Sequence, residues 1–220
     1  MPLPLRSPNV NIPDNKPLAV KRFNGLRKRF TKQPEFMRDY FGFMKDVLTD
    51  VVEEVPKDTK PVIGRINYVP HTGIYHPKKP GQIRVVFDCS AMYQGTSLNE
   101  RLLPGPNQIN SLLGILLRFR QENVAIMADI KGMFHQFFFA NADRELLRFL
   151  WFKDNNPNNE VIEYRMMVHL FGATSSPGCS NFGLKRAAED GEKCYGKEEA
   201  NFIKNDFYVD DGPCLQLMKQ

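Results

Sequence analysis

Asn205-Asp206-Phe207-Tyr208-Val209-Asp210-Asp211-Gly212-Pro213 is the stretch on which the reading of this 220-residue chain turns. An apolar, aromatic run ends in two adjacent carboxylates, and Gly212-Pro213 bounds it with a turn signal. The pattern predicts a strand whose tip holds both acids out of the sheet. Carboxylates so close repel each other, and bound cations relieve the repulsion. By itself an Asp-Asp pair is more often a solvated turn. A third carboxylate on an adjacent strand decides between the two, and Val124-Ala125-Ile126-Met127-Ala128-Asp129 reads as a buried strand ending in one.

Composition narrows the field. Hydrophobic content of 42% and charged content of 25% are those of a globular protein, and the length allows one sizeable core or two small lobes. Lys+Arg 30 against Asp+Glu 25 leaves +5, which favours an anionic partner without specifying a fold. Lys21, Arg22, Arg27, Lys28, Arg29 and Lys32 crowd one helical segment. Cys89, Cys179, Cys194 and Cys214 form no CxxC pair and no zinc-type spacing, so they read as reduced, small buried hydrophobes in an intracellular compartment. No apolar run is long enough to span a bilayer. The proline-rich amino terminus lacks the apolar core of a signal peptide.

Residues 1–13 read as an extended lead-in. Asp14 is placed to cap a helix running through Phe30. Phe36, Tyr40, Phe41, Met44, Val47, Leu48, Val51 and Val52 repeat at helical spacing from Pro34 to about Val55, which predicts a helical hairpin. Residues 56–80 are proline-rich with short β-like pieces at 62–66 and 68–69. Pro80-Gly81 marks a turn between strands at 73–75 and 83–87. Residues 106–121 read as a helix, 147–152 and 161–168 as an antiparallel pair, and Ser176-Pro177 as a helix start with its end near Asp190. Residues 198–204 read as a short helix before the Tyr208 strand. His71 and His76 read as solvated, His135 and His169 as scaffold, and Trp151 as core. The order of elements is α+β with antiparallel strands.

Phosphoryl transfer can use two divalent cations about 4 Å apart, and an acid at the end of one strand with an Asp pair on the neighbouring hairpin meets that demand. Magnesium takes hard oxygen ligands and few of them from protein. Asp129, Asp210 and Asp211 are the candidate set.

Four ordered segments then carry a resemblance: Ile83-Arg84-Val85-Val86-Phe87-Asp88, Met127-Ala128-Asp129-Ile130-Lys131-Gly132-Met133-Phe134-His135-Gln136, Phe171-Gly172-Ala173-Thr174-Ser175-Ser176-Pro177 and Phe207-Tyr208-Val209-Asp210-Asp211. Together they resemble the motifs of a reverse transcriptase over residues 14–211. Ser97-Leu98-Asn99, Leu103-Pro104-Gly105-Pro106 and Leu116-Leu117-Arg118-Phe119-Arg120 resemble the Bel/Pao class of long-terminal-repeat retrotransposons. The resemblance implies a right-hand polymerase palm, an antiparallel sheet with helices on one side, plus fingers, with the thumb absent. It implies a lead-in and helical hairpin over 1–57, fingers over 58–104 and 137–175, and palm over 105–136 and 176–220.

The implied activity is RNA-directed DNA synthesis on an RNA or DNA template with its primer, from deoxynucleoside triphosphates. Two Mg2+ ions, with Mn2+ as substitute, are the implied cofactors. Asp129, the Ile130 carbonyl, Asp210 and Asp211 resemble the metal-binding set, with the three acids catalytic. Arg84 matches the arginine that meets the incoming triphosphate, a role suited to a planar donor fork. Lys79, with Lys78, stands at the same hairpin tip, where solvated turn lysines are equally expected. Phe134 falls at the steric gate that selects deoxynucleotides, although spacing alone makes it a core residue beside Phe137, Phe138 and Phe139. Phe171 and Gly172 belong to the nucleotide-binding set, Gly172 by letting backbone approach the template–nucleotide pair, and Tyr208 to the nucleic-acid contacts.

Three residues depart from the family pattern, the first being Gly132, which stands where a larger residue is expected after the metal acid. Phe171 stands where many retroviral relatives have glutamine, and Pro213 enters the return strand, where it removes a ladder donor. The resemblance further implies missing polyprotein portions (thumb, ribonuclease H and integrase) and a cytoplasmic, particle-bound or nuclear location. A catalytically incompetent, nucleic-acid-binding remnant of such an enzyme is the rival expectation.

Overall fold

The computed structural model describes residues 1–59, 62–78, 81–120 and 125–215. The chain divides into two compact units, one made of residues 1–103 and 138–175, the other of residues 104–137 and 176–220.

The first unit opens with two helices, α1 (Lys16–Lys32) and α2 (Pro34–Asp50). Asp14 accepts a hydrogen bond from the Lys16 N–H at 2.9 Å, and each helix starts on a proline at its first or second position, where the missing donor costs nothing. The second helix is shorter than its apolar spacing predicts. Residues Val52–Glu54 leave it to form strand β1, which pairs antiparallel with β6 (Val161–Met166), itself paired with β5 (Arg148–Phe152). Two successive valines, stiff at χ1, favour the strand once β6 offers an edge.

Strands β2 (His71–Tyr75) and β3 (Ile83–Phe87) form the expected hairpin, with Ile74 opposite Arg84 and His71 opposite Phe87. The segments at 62–66 and 68–69 form no strand; Tyr68 makes only an isolated bridge to Arg148. A short helix, α3 (Leu98–Arg101), begins with a capping box between Ser97 and Glu100.

Aromatic rings fill the core of this unit. Trp151, fully buried, stacks on Tyr40 and meets Phe23, Phe30 and Phe41. Burying each such side chain contributes roughly 1.5–3 kcal/mol. His71 sits among these rings, 8% exposed, bonded to the Tyr40 hydroxyl and, through Nε2, to the Leu150 carbonyl at 3.0 Å. The solvated reading of His71 is therefore corrected: strand alternation turns its ring inward. Burial holds its pKa down at about 4, and His169 is held down to about 4 by burial and then by the amino-terminal charge.

Both histidines bind protons in the unfolded chain below about pH 6.5 but not in the folded one until about 4. Stability is thus fully present above pH 6.5 and falls as pH drops toward 4. For His71 the loss amounts to roughly 3 kcal/mol. Chemical denaturation across that window is expected to show the decline, and His71→Gln to flatten it; an equally steep curve in the variant would refute the assignment.

A charged layer covers one face of the three-stranded sheet, where Glu53, Arg165 and Arg148 stand in register across β1, β6 and β5. Glu145, 8% exposed, bridges Arg148 and Arg165. Arg148 also meets Glu163 at 2.7 Å, and Arg165 meets Glu53 at 2.7 Å. Lys16 and the Tyr68 hydroxyl complete the shell of Glu163 at 2.5 and 2.8 Å.

In the second unit, strand β4 (Ala125–Asp129) pairs antiparallel with β7 (Asp211–Leu215). Helix α4 (Leu112–Arg118) is shorter than predicted: residues 106–110 form no helix, and Ser111 caps it through the Gly114 N–H. Helices α5 (Ser176–Tyr195) and α6 (Lys197–Asp206) pack on each other, and α6 packs on β7. Met127 is 72% exposed, so β4 has an open face and is not the fully buried strand its composition predicts. Among the described side chains Cys89 is buried, Cys179 half-buried and Cys194 exposed, so of these three the first alone behaves as a core hydrophobe. Among the described residues no helix is long and apolar enough to cross a membrane.

Candidate active site

The two acidic segments meet on the β4–β7 ladder, where Asp129 stands directly opposite Asp211. The Ile130 N–H donates to the Asp210 carbonyl at 3.0 Å. That bond flanks the Asp129–Asp211 pair, which makes it a non-hydrogen-bonded pair, the narrower kind, with Cα atoms about 4.5 Å apart and side chains on one face. Both residues are exposed. Two like charges facing across a ladder destabilise it by roughly 0.2–1 kcal/mol. A fold that keeps them there carries a cost that an oxygen-binding cation offsets.

Tyr208 and Asp211 close a two-residue turn with both backbone bonds formed, at 2.8 and 3.1 Å. Val209 occupies its first central position at φ 60°, a left-handed conformation that a β-branched residue rarely adopts. Strain of this kind costs on the order of 1–3 kcal/mol and gathers at functional sites. The turn places Asp210 one residue from the ladder, half-buried, with its carbonyl tied to Ile130.

The sequence reading put the paired strand before the acids, and the structure puts it after them. Helix α6 continues to Asp206, and Tyr208 makes a single bridge. Pro213 is the physical reason. It faces Met127 at a non-hydrogen-bonded position, so its missing N–H takes nothing from the β4 ladder. The nitrogen points instead toward the Tyr208 side, where the next bond of the turn's own ladder, to residue 206, needs a donor. The hairpin stops after one rung. Gly212, the residue opposite Phe207, leaves room for that ring: a Cβ there would lie 2.4 Å from Phe207 Cζ.

Among the described residues no group of three or more His, Cys, Asp or Glu side chains is arranged to hold a metal ion. The donor chemistry nevertheless suits magnesium, which needs only one or two protein carboxylates beside water and phosphate. Asp129 and Asp211 on one face, with the Ile130 carbonyl and Asp210 adjoining, meet that requirement.

Phe134 lies in the same unit, 8% exposed, in a short 3-10 turn (Met133–Gln136). The remaining predicted residues lie in the first unit. Arg84 projects from the exposed side of β3. Lys79 lies outside the described residues. Phe171 is 55% exposed. Gly172 has φ +117°, and a Cβ there would lie 2.4 Å from the Phe87 carbonyl oxygen, so the fold itself requires glycine. Gly172→Ala is expected to lower stability by more than about 1 kcal/mol, measured by denaturant titration; an unchanged midpoint would show that the loop relaxes freely.

Asn99 is the residue that sequence reasoning missed. Its Nδ2 donates to the Ser90 hydroxyl at 2.8 Å and to the Gly172 carbonyl at 2.9 Å, and its Oδ1 accepts from the Thr174 N–H at 2.9 Å. One side chain of α3 thereby ties the Phe171-Gly172 loop to Ser90, just past the end of β3. Only the Ser97-Leu98-Asn99 signature pointed to it.

No family model matches this chain, and no curated protein matches it in sequence. Among solved structures it is similar to a foamy viral protease–reverse transcriptase in complex with double-stranded DNA, with TM-score 0.51 and 16% identity. The match covers 98% of this chain and 28% of that one. The chain therefore has a reverse-transcriptase-like α+β fold and spans just over a quarter of the chain it matches.

Proposed function

We propose that this chain is the fingers and palm of an RNA-directed DNA polymerase of the Bel/Pao retrotransposon class, with the first unit as fingers and the second as palm. The observation that carries the reading is the exposed Asp129–Asp211 pair, held in the narrow register beside a strained turn. The Bel/Pao assignment rests on the wording of residues 97–106 and 116–120.

Two magnesium ions, replaceable by manganese, would supply charge neutralisation and activation of the primer 3′-hydroxyl. Asp129 and Asp211 would hold them, with Asp210 and the Ile130 carbonyl as further ligands. Arg84 binds the triphosphate, Phe134 lies beneath the sugar, the Asn99-braced Phe171-Gly172 loop borders the nascent pair, and Tyr208 contacts nucleic acid. Positioning and electrostatics, not covalent chemistry, are the protein's contribution.

The shortened Tyr208 hairpin supports a second reading, a nucleic-acid-binding remnant without synthesis. Primer extension with Mg2+ or Mn2+, wild type against Asp210→Asn, separates the two. Extension lost in the variant supports the polymerase, and salt-sensitive binding without extension in either supports the remnant.

A further inference from the structure

Helix α1 and the start of β2, both in the first unit, enclose a groove of about 440 Å3. Its floor is apolar, formed by Leu18, Leu26 and Pro70, with the inward ring of His71 beneath. Lys21 and Arg22 stand exposed on its rim. Arg29 also lines it but is committed elsewhere, lying 3.6 Å from the centre of the Phe36 ring and donating to the Gly73 carbonyl at 3.3 Å. One acid, Asp88, opposes an anion there, and its Oδ1 accepts from the Ser90 N–H at 3.1 Å.

We propose that this groove seats an unpaired nucleotide of a single-stranded nucleic acid, its phosphate on Lys21 and Arg22 and its base against Leu18, Leu26 and Pro70. A duplex offers only its phosphates to such a surface and has no use for the apolar floor. A single strand offers both a charge and a flat apolar face, and its binding combines a cationic track with base packing. The choice of nucleic acid over other amphiphilic anions rests on the polymerase reading; the groove itself does not.

Gly25 supports the groove's openness. It lies inside α1, where glycine costs roughly 0.5–1 kcal/mol relative to alanine. A Cβ there would meet nothing within 4 Å. A side chain at this position would both strengthen the helix and occupy the groove.

The experiment is anisotropy titration of the full chain with a labelled oligothymidylate and, separately, with a blunt duplex. Lys21→Glu/Arg22→Glu is expected to weaken single-strand binding by about tenfold or more at low salt. It should also shrink the logarithmic salt slope by about 1.4, the value for two phosphate contacts on a single strand. Gly25→Gln is expected to weaken single-strand binding several-fold while raising the melting temperature, so lost folding is not the cause. Unchanged single-strand affinity in both variants would overturn the proposal. So would equal losses for the blunt duplex, which would mark a merely cationic face. Asp210→Asn separates this site from the polymerase reading, since it should abolish extension and leave single-strand affinity intact. If wild type extends nothing yet both groove variants lose single-strand binding selectively, the groove stands and the polymerase reading fails.

Discussion

Asp129→Asn is expected to abolish templated primer extension, lowering its rate roughly a thousandfold or more, while leaving the fold as stable as before or slightly more so. The two effects have one origin. Asp129 faces Asp211 across the narrow register of β4 and β7, and like charges so placed repel by roughly 0.2–1 kcal/mol. Neutralising one relieves that repulsion. It also removes one of the three carboxylates that would hold the divalent cations, and metal stabilisation of a phosphoryl transfer is worth several kcal/mol. A purely structural aspartate would show neither signature. Extension at wild-type rate in the variant would end the polymerase reading, as would extension that survives chelation of divalent ions. A marked loss of stability would show instead that Asp129 is held by partners other than a cation.

Glu145→Ala should cost about 3–5 kcal/mol of folding stability, with a fall in melting temperature on the order of 10 °C. Its carboxylate bridges Arg148, 6% exposed, and Arg165, and removing it leaves two guanidinium groups sharing the carboxylates that remain, Glu163 and Glu53. Uncompensated charge away from water is the cost, not the loss of attraction itself. Replacing Glu145 and Arg148 together by leucine and methionine should therefore recover part of the loss. Thermal unfolding of the single and double variants measures both. A single variant within 1 kcal/mol of wild type would mean that water reaches the layer.

Much of this was legible before any coordinates. Apolar runs and the turn and loop signals between them foretold β2, β3, β5 and β6, because both are local. The carboxylates 129, 210 and 211 stood out by type and setting. The misplacements share a cause that no local pattern carries. Val52 and Glu53 satisfy a helix until β6 offers an edge. Leu112, Leu113, Leu116 and Leu117 repeat as a core helix does, yet all four are exposed in the second unit. His71 looked like a loop residue among prolines until Tyr40 and the Leu150 carbonyl took both its nitrogens.

The amino-acid order alone determined the class of fold, the identity of the acids and the helix start at Ser176, because turns and periodicities act over a few residues. Only the tertiary structure decided that Asp129 faces Asp211 in the narrow register, that Pro213 spares the β4 ladder while ending the Tyr208 hairpin, and that Asn99 braces Gly172. The first two depend on which side of a strand a donor or side chain points, and the third on α3 meeting a loop some seventy residues away in the chain. Pairing parity sets that side, and pairing is chosen by the whole packed unit, not by any stretch within it.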